Sequence, residues 1–131
     1  MSARNKEVAV EFLKALDRTP DRLGDFLADN AEYHVVAQLL KIGPFRGKNA
    51  VVQQFVPVVK QMFPKGLNIT IDNVIAEGKY VAVECHSDTE AGNGKKYANF
   101  YHFLFEFEGD KIRQAKEYND SHYAKETLMS G

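Results

Sequence analysis

The sequence has little cysteine, almost no excess charge and no long apolar run, and each absence excludes a class of protein. Cys85 is the only cysteine among 131 residues, so the chain has neither a disulfide framework nor a cysteine cluster for zinc. We therefore expect the protein to reside in a reducing compartment. The 17 basic and 18 acidic residues give a formal net charge of -1, which supplies no strong field for nucleic acid or an anionic membrane.

The remaining absences concern membranes and metals. No apolar run approaches the roughly 20 residues that a membrane-spanning helix needs, and residues 1–7 are charged rather than apolar. The four histidines show no tight ligand spacing. We therefore expect a cytoplasmic protein that binds no metal, no membrane and no nucleic acid. Its length and its 44% hydrophobic residues predict a single domain over residues 1–131.

The N-terminal half predicts three helices and one strand. Apolar residues at helical spacing indicate helices over residues 3–16 and 49–63, and Thr19-Pro20 indicates the start of a shorter helix that reaches residue 27. Pro57 should kink or divide the third helix because it lacks a backbone donor. Residues 31–38 predict a strand, and the Gly-Pro loop that follows, residues 41–47, is expected to border the site.

The C-terminal half predicts a meander of four strands. From residue 67 the apolar period becomes two, and turns at residues 77–79, 91–94 and 108–110 separate strands that continue over 80–88, 96–107 and 111–120. Helices followed by strands indicate an α+β fold, with the helices on one face of a curved, mostly antiparallel sheet.

One face of the strand over residues 96–107 predicts a small-molecule pocket. Asn99 and Tyr101 share this face with Phe103 and two further phenylalanines, because successive strand residues point to opposite sides. Polar groups beside an apolar wall are typical of a ligand pocket. In the preceding strand, the apolar Val81 and Val83 indicate the inner face, which places Glu84 and His86 outside.

The order of these elements resembles the SnoaL-like polyketide cyclases of the nuclear transport factor 2-like superfamily, which also contains ketosteroid isomerase. The resemblance rests on Phe-Arg-Gly-Lys at 45–48, Gly-Asp-Lys-Ile at 109–112 and Glu-Tyr-Asn-Asp at 117–120. It implies a cone-shaped half barrel with the three N-terminal helices packed on its concave face, which holds the ligand. It also implies a homodimer formed through the other face of the sheet.

The same resemblance implies roles for individual residues. The acid/base aspartate of the cyclases matches Asp120, which would act from the end of an apolar cavity. The base of the isomerase falls at Val35, so that mechanism lacks its base here. The arginine and aspartate of the superfamily's epoxide hydrolases fall at Cys85 and Ser87, so their water-activating triad is incomplete.

Other polar residues are candidates for orienting a ligand. Tyr101 and His34 are predicted beside Asp120 in the catalytic set, since a phenol can stabilise a developing negative charge and a neutral imidazole can serve as a base. Asn99, Tyr118 and Phe103 are predicted to bind the ligand. Each also has an ordinary structural explanation: a core tyrosine, a partly exposed strand histidine or a solvated strand end.

Two functional hypotheses from different classes follow. The first is a cofactor-free enzyme of the cyclase, isomerase, dehydratase or hydrolase kind that acts by proton transfer on a hydrophobic small molecule with a carbonyl or hydroxyl group. The second is a noncatalytic ligand-binding or dimerisation domain of the same fold. A protein-interaction module is a third, and it requires an exposed apolar patch outside the dimer face.

Overall fold

Helix α1 (Ser2–Arg18) covers the concave face of the sheet. In the computed structural model, which describes residues 2–129, its apolar stripe is buried and the ring of Phe12 packs against Tyr33 and Phe105 at centroid distances of 6.4 and 5.5 Å. Tyr33 and Phe105 come from two different strands, so these contacts join the helix to the interior of the sheet. The helical spacing of the sequence therefore corresponds to a buried face.

The second and third predicted helices are present but irregular. The second is a 3₁₀ helix (Pro20–Phe26) with Thr19 at its N-cap. The third begins as α2 (Lys48–Ala50), passes through a π-helical turn (Val51–Phe55) and continues as α3 (Val56–Met62). The wider turn lies immediately before Pro57, the residue that cannot donate a regular helical hydrogen bond. The predicted disturbance at Pro57 thus takes the form of a π turn.

A six-stranded mixed sheet forms the other layer, in the order β2-β1-β8-β7-β4-β3. The pair β1–β8 is parallel and the other pairs are antiparallel, while β5 and β6 form a separate hairpin. The predicted α+β class with a mostly antiparallel sheet is confirmed. The strands are β1 (Leu27–Val35), β2 (Phe45–Arg46), β3 (Thr70–Glu77), β4 (Tyr80–His86), β5 (Thr89–Glu90), β6 (Lys96–Tyr97), β7 (Phe100–Glu108) and β8 (Lys111–Asn119).

A bulge in β8 decides which of its side chains face the concave side. Ile112 pairs with Phe107 and Gln114 pairs with Glu106, so Arg113 is one extra residue against the partner strand. Ile112 and Ala115 are therefore both fully buried, although side chains three positions apart on a regular strand would face opposite sides. The inward parity of the strand is reversed beyond this point.

A fourth helix follows the last strand and was not predicted. Helix α4 (Ser121–Leu128) begins directly after β8, and Asp120 is its N-cap residue. The predicted strand over residues 111–120 therefore ends one residue early, because Asp120 starts a helix. Within residues 2–129, no helix combines the length and apolarity needed to cross a bilayer.

The buried carboxylate of Asp17 fixes the end of α1 to the segment before β3. Its two oxygens accept hydrogen bonds from the backbone N–H groups of Leu67, Asn68 and Ile69 at 2.8, 2.8 and 2.9 Å. Gly66 has a φ of 81°, and a Cβ atom there would lie 2.8 Å from the Asp17 carbonyl oxygen. Only glycine fits this close approach.

Candidate active site

A cavity of about 50 Å³ lies between the concave face of the sheet, the helix over residues 48–62 and α4. This is far below the roughly 300–1,000 Å³ of sites for drug-sized ligands. Leu40 and Ile42 line it, and Ile42 belongs to the Gly-Pro loop at residues 41–47 that the sequence predicts to border the site. Most lining residues are apolar, and the polar ones are Tyr97, Tyr101, Glu117 and Asn119.

Glu117 is the acidic residue of the cavity, and two neighbours hold its carboxylate. The Tyr33 hydroxyl donates a hydrogen bond to Oε1 at 2.6 Å, and Asn119 Nδ2 donates to Oε2 at 3.0 Å. Tyr33 belongs to β1 and is fully buried, whereas Glu117 belongs to β8 and is half-buried. The parallel pairing of these two strands therefore creates the site.

The environment of Glu117 raises the pKa of its carboxyl. Burial raises the pKa of its carboxyl above the ordinary range, and the hydrogen bonds from Tyr33 and Asn119 oppose this rise because they stabilise the ionised form. Burial also raises the pKa of Tyr33 well above its ordinary value, with a further rise from the adjacent Glu117 charge. The phenol consequently stays a neutral donor while the carboxyl changes its protonation state.

A pair of tyrosine hydroxyls forms the second polar group of the cavity. The Tyr97 and Tyr101 oxygens lie 2.6 Å apart, and Asn99 Nδ2 donates to the Tyr97 oxygen at 2.8 Å. Burial raises the pKa of Tyr97 to about 12 and that of Tyr101 well above its ordinary value. Both phenols are therefore neutral hydrogen-bond donors at physiological pH.

One acceptor in the cavity wall is left open. Asn119 uses its amide N–H to bind Glu117, which fixes the orientation of the amide, and its buried Oδ1 accepts no hydrogen bond. None of the described residues that line the cavity is a lysine, arginine or histidine. The polar end of the cavity is thus rich in acceptors and carries one carboxylate.

Asp120 does not occupy the position that the sequence predicted for it. Its side chain is exposed, and Oδ1 accepts a hydrogen bond from the backbone N–H of Tyr123 at 3.2 Å, as an N-cap residue does. It does not line the cavity. The expected carboxyl at the end of an apolar cavity is instead that of Glu117, three residues earlier.

His34 and Tyr118 are also outside the cavity. His34 alternates with the buried Tyr33 and therefore faces the outer side of β1, where its Nε2 lies 2.9 Å from Glu32 Oε1. Tyr118 is exposed in a groove on the outer face of the sheet, a groove that Tyr101 and Asn119 also border. The predicted placement of His34 and Tyr118 beside the ligand is wrong, because each lies on the opposite face of its strand.

The remaining predicted residues lie in or next to the cavity. Tyr101 and Phe103 line it, and Asn99 is buried one layer behind, where it binds Tyr97. Sequence reasoning missed Glu117, although the residue belongs to the tetrapeptide at 117–120 that carried the resemblance. Among residues 2–129, no three histidine, cysteine, aspartate or glutamate side chains are placed to hold a metal ion.

Solved structures with the same fold come from proteins of diverse description. A protein of Jannaschia sp. CCS1, provisionally described as a SnoaL-like polyketide cyclase, is 12% identical with a TM-score of 0.82 over 100% of this chain and 95% of the other. A protein of Catenulispora acidiphila with a ketosteroid isomerase-like fold, in complex with trimethylamine, is 18% identical with a TM-score of 0.74 over 86% of this chain and 84% of the other. An LEH-like epoxide hydrolase of M. tuberculosis is 19% identical with a TM-score of 0.74 over 99% and 92%.

At these identities the three structures share the fold, and fold alone does not define a reaction. No curated protein sequence matches the chain at a significant level. The sequence profile of the SnoaL-like domain matches residues 9–115, which contain the helices of the N-terminal half and all but the end of the sheet. By this match the chain belongs to the SnoaL-like domain family, as its sequence pattern predicted.

Proposed function

We propose that this protein binds a small molecule with a carbonyl or hydroxyl group in the cavity and transfers a proton with Glu117, without a cofactor. The observation that carries the proposal is the Glu117 carboxylate, held at 2.6 Å by the Tyr33 hydroxyl in an otherwise apolar cavity. A carboxyl with a raised pKa in a cleft is a candidate acid/base group. Cyclisation, isomerisation and dehydration all proceed through such proton transfers.

The tyrosine pair supplies the complementary donor. In an isomerisation of a carbonyl compound, Glu117 takes a proton from the carbon next to the carbonyl, so a C–H bond breaks and an O–H bond forms. The electron pair moves toward the carbonyl oxygen, which accepts a hydrogen bond from the hydroxyl pair of Tyr97 and Tyr101. When the substrate is a β,γ-unsaturated carbonyl compound, Glu117 then returns the proton to the γ-carbon, the C=C bond shifts to the α,β position and the carboxylate is regenerated.

The small volume of the cavity supports a second candidate function. A cavity of about 50 Å³ accepts a very small ligand or one that displaces Met62 and Leu128, which line it. A noncatalytic domain that binds such a ligand requires the same contacts but no turnover. The ligand of the Catenulispora relative, trimethylamine, is of this size class.

Methyl-group NMR on the full chain tests for binding. A panel of small ketones, alcohols and amines is titrated while the methyl signals of Met62 and Leu128 are recorded, with Leu39 as the exposed reference. We expect saturable shifts at the cavity methyls and none at Leu39. A panel that leaves both cavity signals unmoved would remove the proposed function.

Proton transfer is tested by deuterium exchange into the ketones that bind. We expect wild type to accelerate the exchange and Glu117→Gln to reduce the rate by about 100-fold or more. Asp120→Asn is the matched control, since it removes an equal charge three residues away and Asn caps a helix as well as Asp. Binding without accelerated exchange would favour the noncatalytic function, and loss of exchange in Asp120→Asn alone would restore Asp120 as the base.

A further inference from the structure

The polar atoms of the cavity have more unused hydrogen-bond acceptor positions than unused donors. The Tyr33 hydroxyl and one of the two Nδ2 hydrogens of Asn119 donate to Glu117, so of these donors only the second Asn119 hydrogen is left for a ligand. Each oxygen of the Glu117 carboxylate can accept a further hydrogen bond, and Asn119 Oδ1 accepts none from residues 2–129. A buried acceptor without a partner costs free energy that a ligand donor would recover.

Among residues 2–129, no basic side chain lines the cavity beside the Glu117 carboxylate. The hydrogen bonds of Glu117 come from a neutral phenol and a neutral amide, and no lysine, arginine or histidine is among the described lining residues. Aromatic rings of Phe63, Tyr101 and Phe103 form part of the wall. Ring faces and a carboxylate both attract a positive charge, and a charge-assisted hydrogen bond is roughly twice as strong as a neutral one.

The hydroxyl pair of Tyr97 and Tyr101, the second polar group of the cavity, also retains a hydrogen-bond donor. Tyr97 and Tyr101 share one hydrogen bond between their hydroxyls, and Tyr97 accepts another from Asn99. Two hydroxyl protons are present and one of them lies between the oxygens, so the other is available to an oxygen atom of a ligand.

We infer that the ligand of this cavity is a small primary amine that also carries an oxygen atom, an amino alcohol or amino ketone. Its ammonium group donates to Asn119 Oδ1 and pairs with Glu117, and its oxygen accepts a hydrogen bond from the tyrosine pair. The inference rests on the proposed function only in requiring that the cavity admits a small ligand.

Matched probes separate the two recognition elements. Ethanolamine, as its ammonium form, is compared with ethylene glycol, which replaces the ammonium by a hydroxyl, and with ethylamine, which lacks the oxygen. Dissociation constants come from the cavity methyl shifts at pH 7. We expect ethanolamine to bind about tenfold more tightly than either analogue, because each analogue leaves one polar group of the cavity unpaired.

The Glu117→Gln variant assigns the ammonium preference to the carboxylate. Gln retains the shape of Glu but not its charge, so the ratio of ethylene glycol to ethanolamine dissociation constants should fall to about one. Asp120→Asn removes a nearby surface charge and should leave the ratio at its wild-type value. An equal loss in both variants would indicate general electrostatic attraction and overturn the inference.

A pH profile of wild type tests the same point without any substitution. The titratable groups that face Glu117 from neighbouring strands are Tyr33, Cys85, Tyr97 and Tyr101, and burial raises the pKa of each, to about 12 for Cys85 and Tyr97. These groups stay neutral between pH 4 and 8. Ethanolamine affinity should therefore fall as pH decreases through the pKa of Glu117, while ethylene glycol affinity stays constant.

The outcomes distinguish this inference from the proposed function. Ethylene glycol or ketones that bind as tightly as ethanolamine would overturn the amine preference and leave the proposed function standing. An affinity for ethanolamine that is flat from pH 4 to 8 would do the same. Failure of every probe to bind would overturn both.

Discussion

Ionisation of the Glu117 carboxyl lowers the stability of the folded state. Burial disfavours its charge, and the hydroxyl of Tyr33 together with the amide of Asn119 offsets part of that cost. Asp120, three residues later, is exposed to solvent and serves a helix. Two acidic residues in one tetrapeptide thus differ in their surroundings, because Glu117 faces the cavity from β8 whereas Asp120 lies beyond the end of that strand.

The raised pKa of Glu117 predicts a specific dependence of stability on pH. Because the folded state binds the Glu117 proton more tightly than the unfolded state, stability falls as pH rises from the unfolded pKa, about 4.3, through the folded pKa, and is then constant. Glu117→Gln lacks this proton. The free energy of unfolding of the variant minus that of wild type, measured in urea, should therefore increase between pH 4 and pH 8.

The same urea experiment has a control and a contradictory outcome. Asp120→Asn, at an exposed site, should show a smaller change with pH in its difference from wild type. A difference for Glu117→Gln that decreases with pH would mean that the folded state favours the Glu117 charge, and it would remove the cavity carboxyl as an acid/base candidate.

Helix α4 depends on its first residue. Asp120 accepts the backbone hydrogen bond of Tyr123, whose ring stacks on Tyr97 at 5.6 Å, and Leu128 at the other end of the helix lines the cavity. Loss of the cap should therefore loosen one wall of the site without touching its chemistry.

We predict that Asp120→Ala destabilises the protein by about 1 kcal/mol, the usual value of an N-cap side chain, and increases hydrogen exchange in α4. Asp120→Asn should retain wild-type stability and exchange, since Asn is an equivalent cap. Thermal unfolding and amide exchange over residues 121–128 measure the two effects. Equal destabilisation by Ala and Asn would show that the charge of Asp120, rather than its hydrogen bond, is what matters.

The Asp17 carboxylate makes a stronger connection between elements. It accepts three backbone N–H groups and is buried, whereas Asp21 is exposed and pairs with Lys60 at 3.1 Å. We predict that Asp17→Ala costs about 2–4 kcal/mol, because three donors lose their partner, while Asp21→Ala costs at most about 1 kcal/mol. Urea denaturation measures both, and similar values for the two variants would contradict the assignment.

The bulge in β8 explains which part of the site could be predicted from the sequence. Tyr101 and Phe103 share the face that simple alternation predicts, because β7 alternates without interruption from Tyr101 to Phe105. In β8 the extra residue Arg113 shifts the alternation, so parity counted from Ile112 gives Tyr118 and Asp120 instead of Glu117. Nothing in the residue types marks this bulge, since both faces of the strand carry polar side chains.

The missed helix has a different cause. Asp120 followed by Ser121, with Ala124 and Leu128 at helical spacing, is a legitimate start signal. The strand predicted over residues 111–120 includes Asp120, which leaves no N-cap for a following helix. The first and third helices of the N-terminal half were predictable because their apolar stripes are long, whereas α4 has only eight residues.

The outer face of the sheet bears on the state of the whole protein. Phe100 is 72% exposed and Ile75 is 67% exposed, and Tyr80 and Tyr118 are also exposed on this side. We propose that a second copy of the chain covers this face, since apolar rings on an open sheet are stabilised by burial.

The dimer is tested by sedimentation equilibrium. We predict that wild type is dimeric at micromolar concentration and that Phe100→Glu weakens association by about tenfold or more, because a charge replaces a large apolar contact. Leu39→Glu is the matched control, since Leu39 is 47% exposed but lies in the loop before the cavity. A monomeric wild type, or an equal effect of both substitutions, would contradict the proposal.

The parallel pairing of β1 with β8 has a kinetic consequence. The Tyr33 hydroxyl and the Glu117 carboxylate are separated by 84 positions along the chain, so their contact closes a loop that contains most of the protein. Such a closure has a high entropic cost before any contact compensates for it, and chains dominated by distant pairings fold in milliseconds to seconds. We therefore expect the cavity to assemble late in folding, because Tyr33 and Glu117 meet only when β1 pairs with β8.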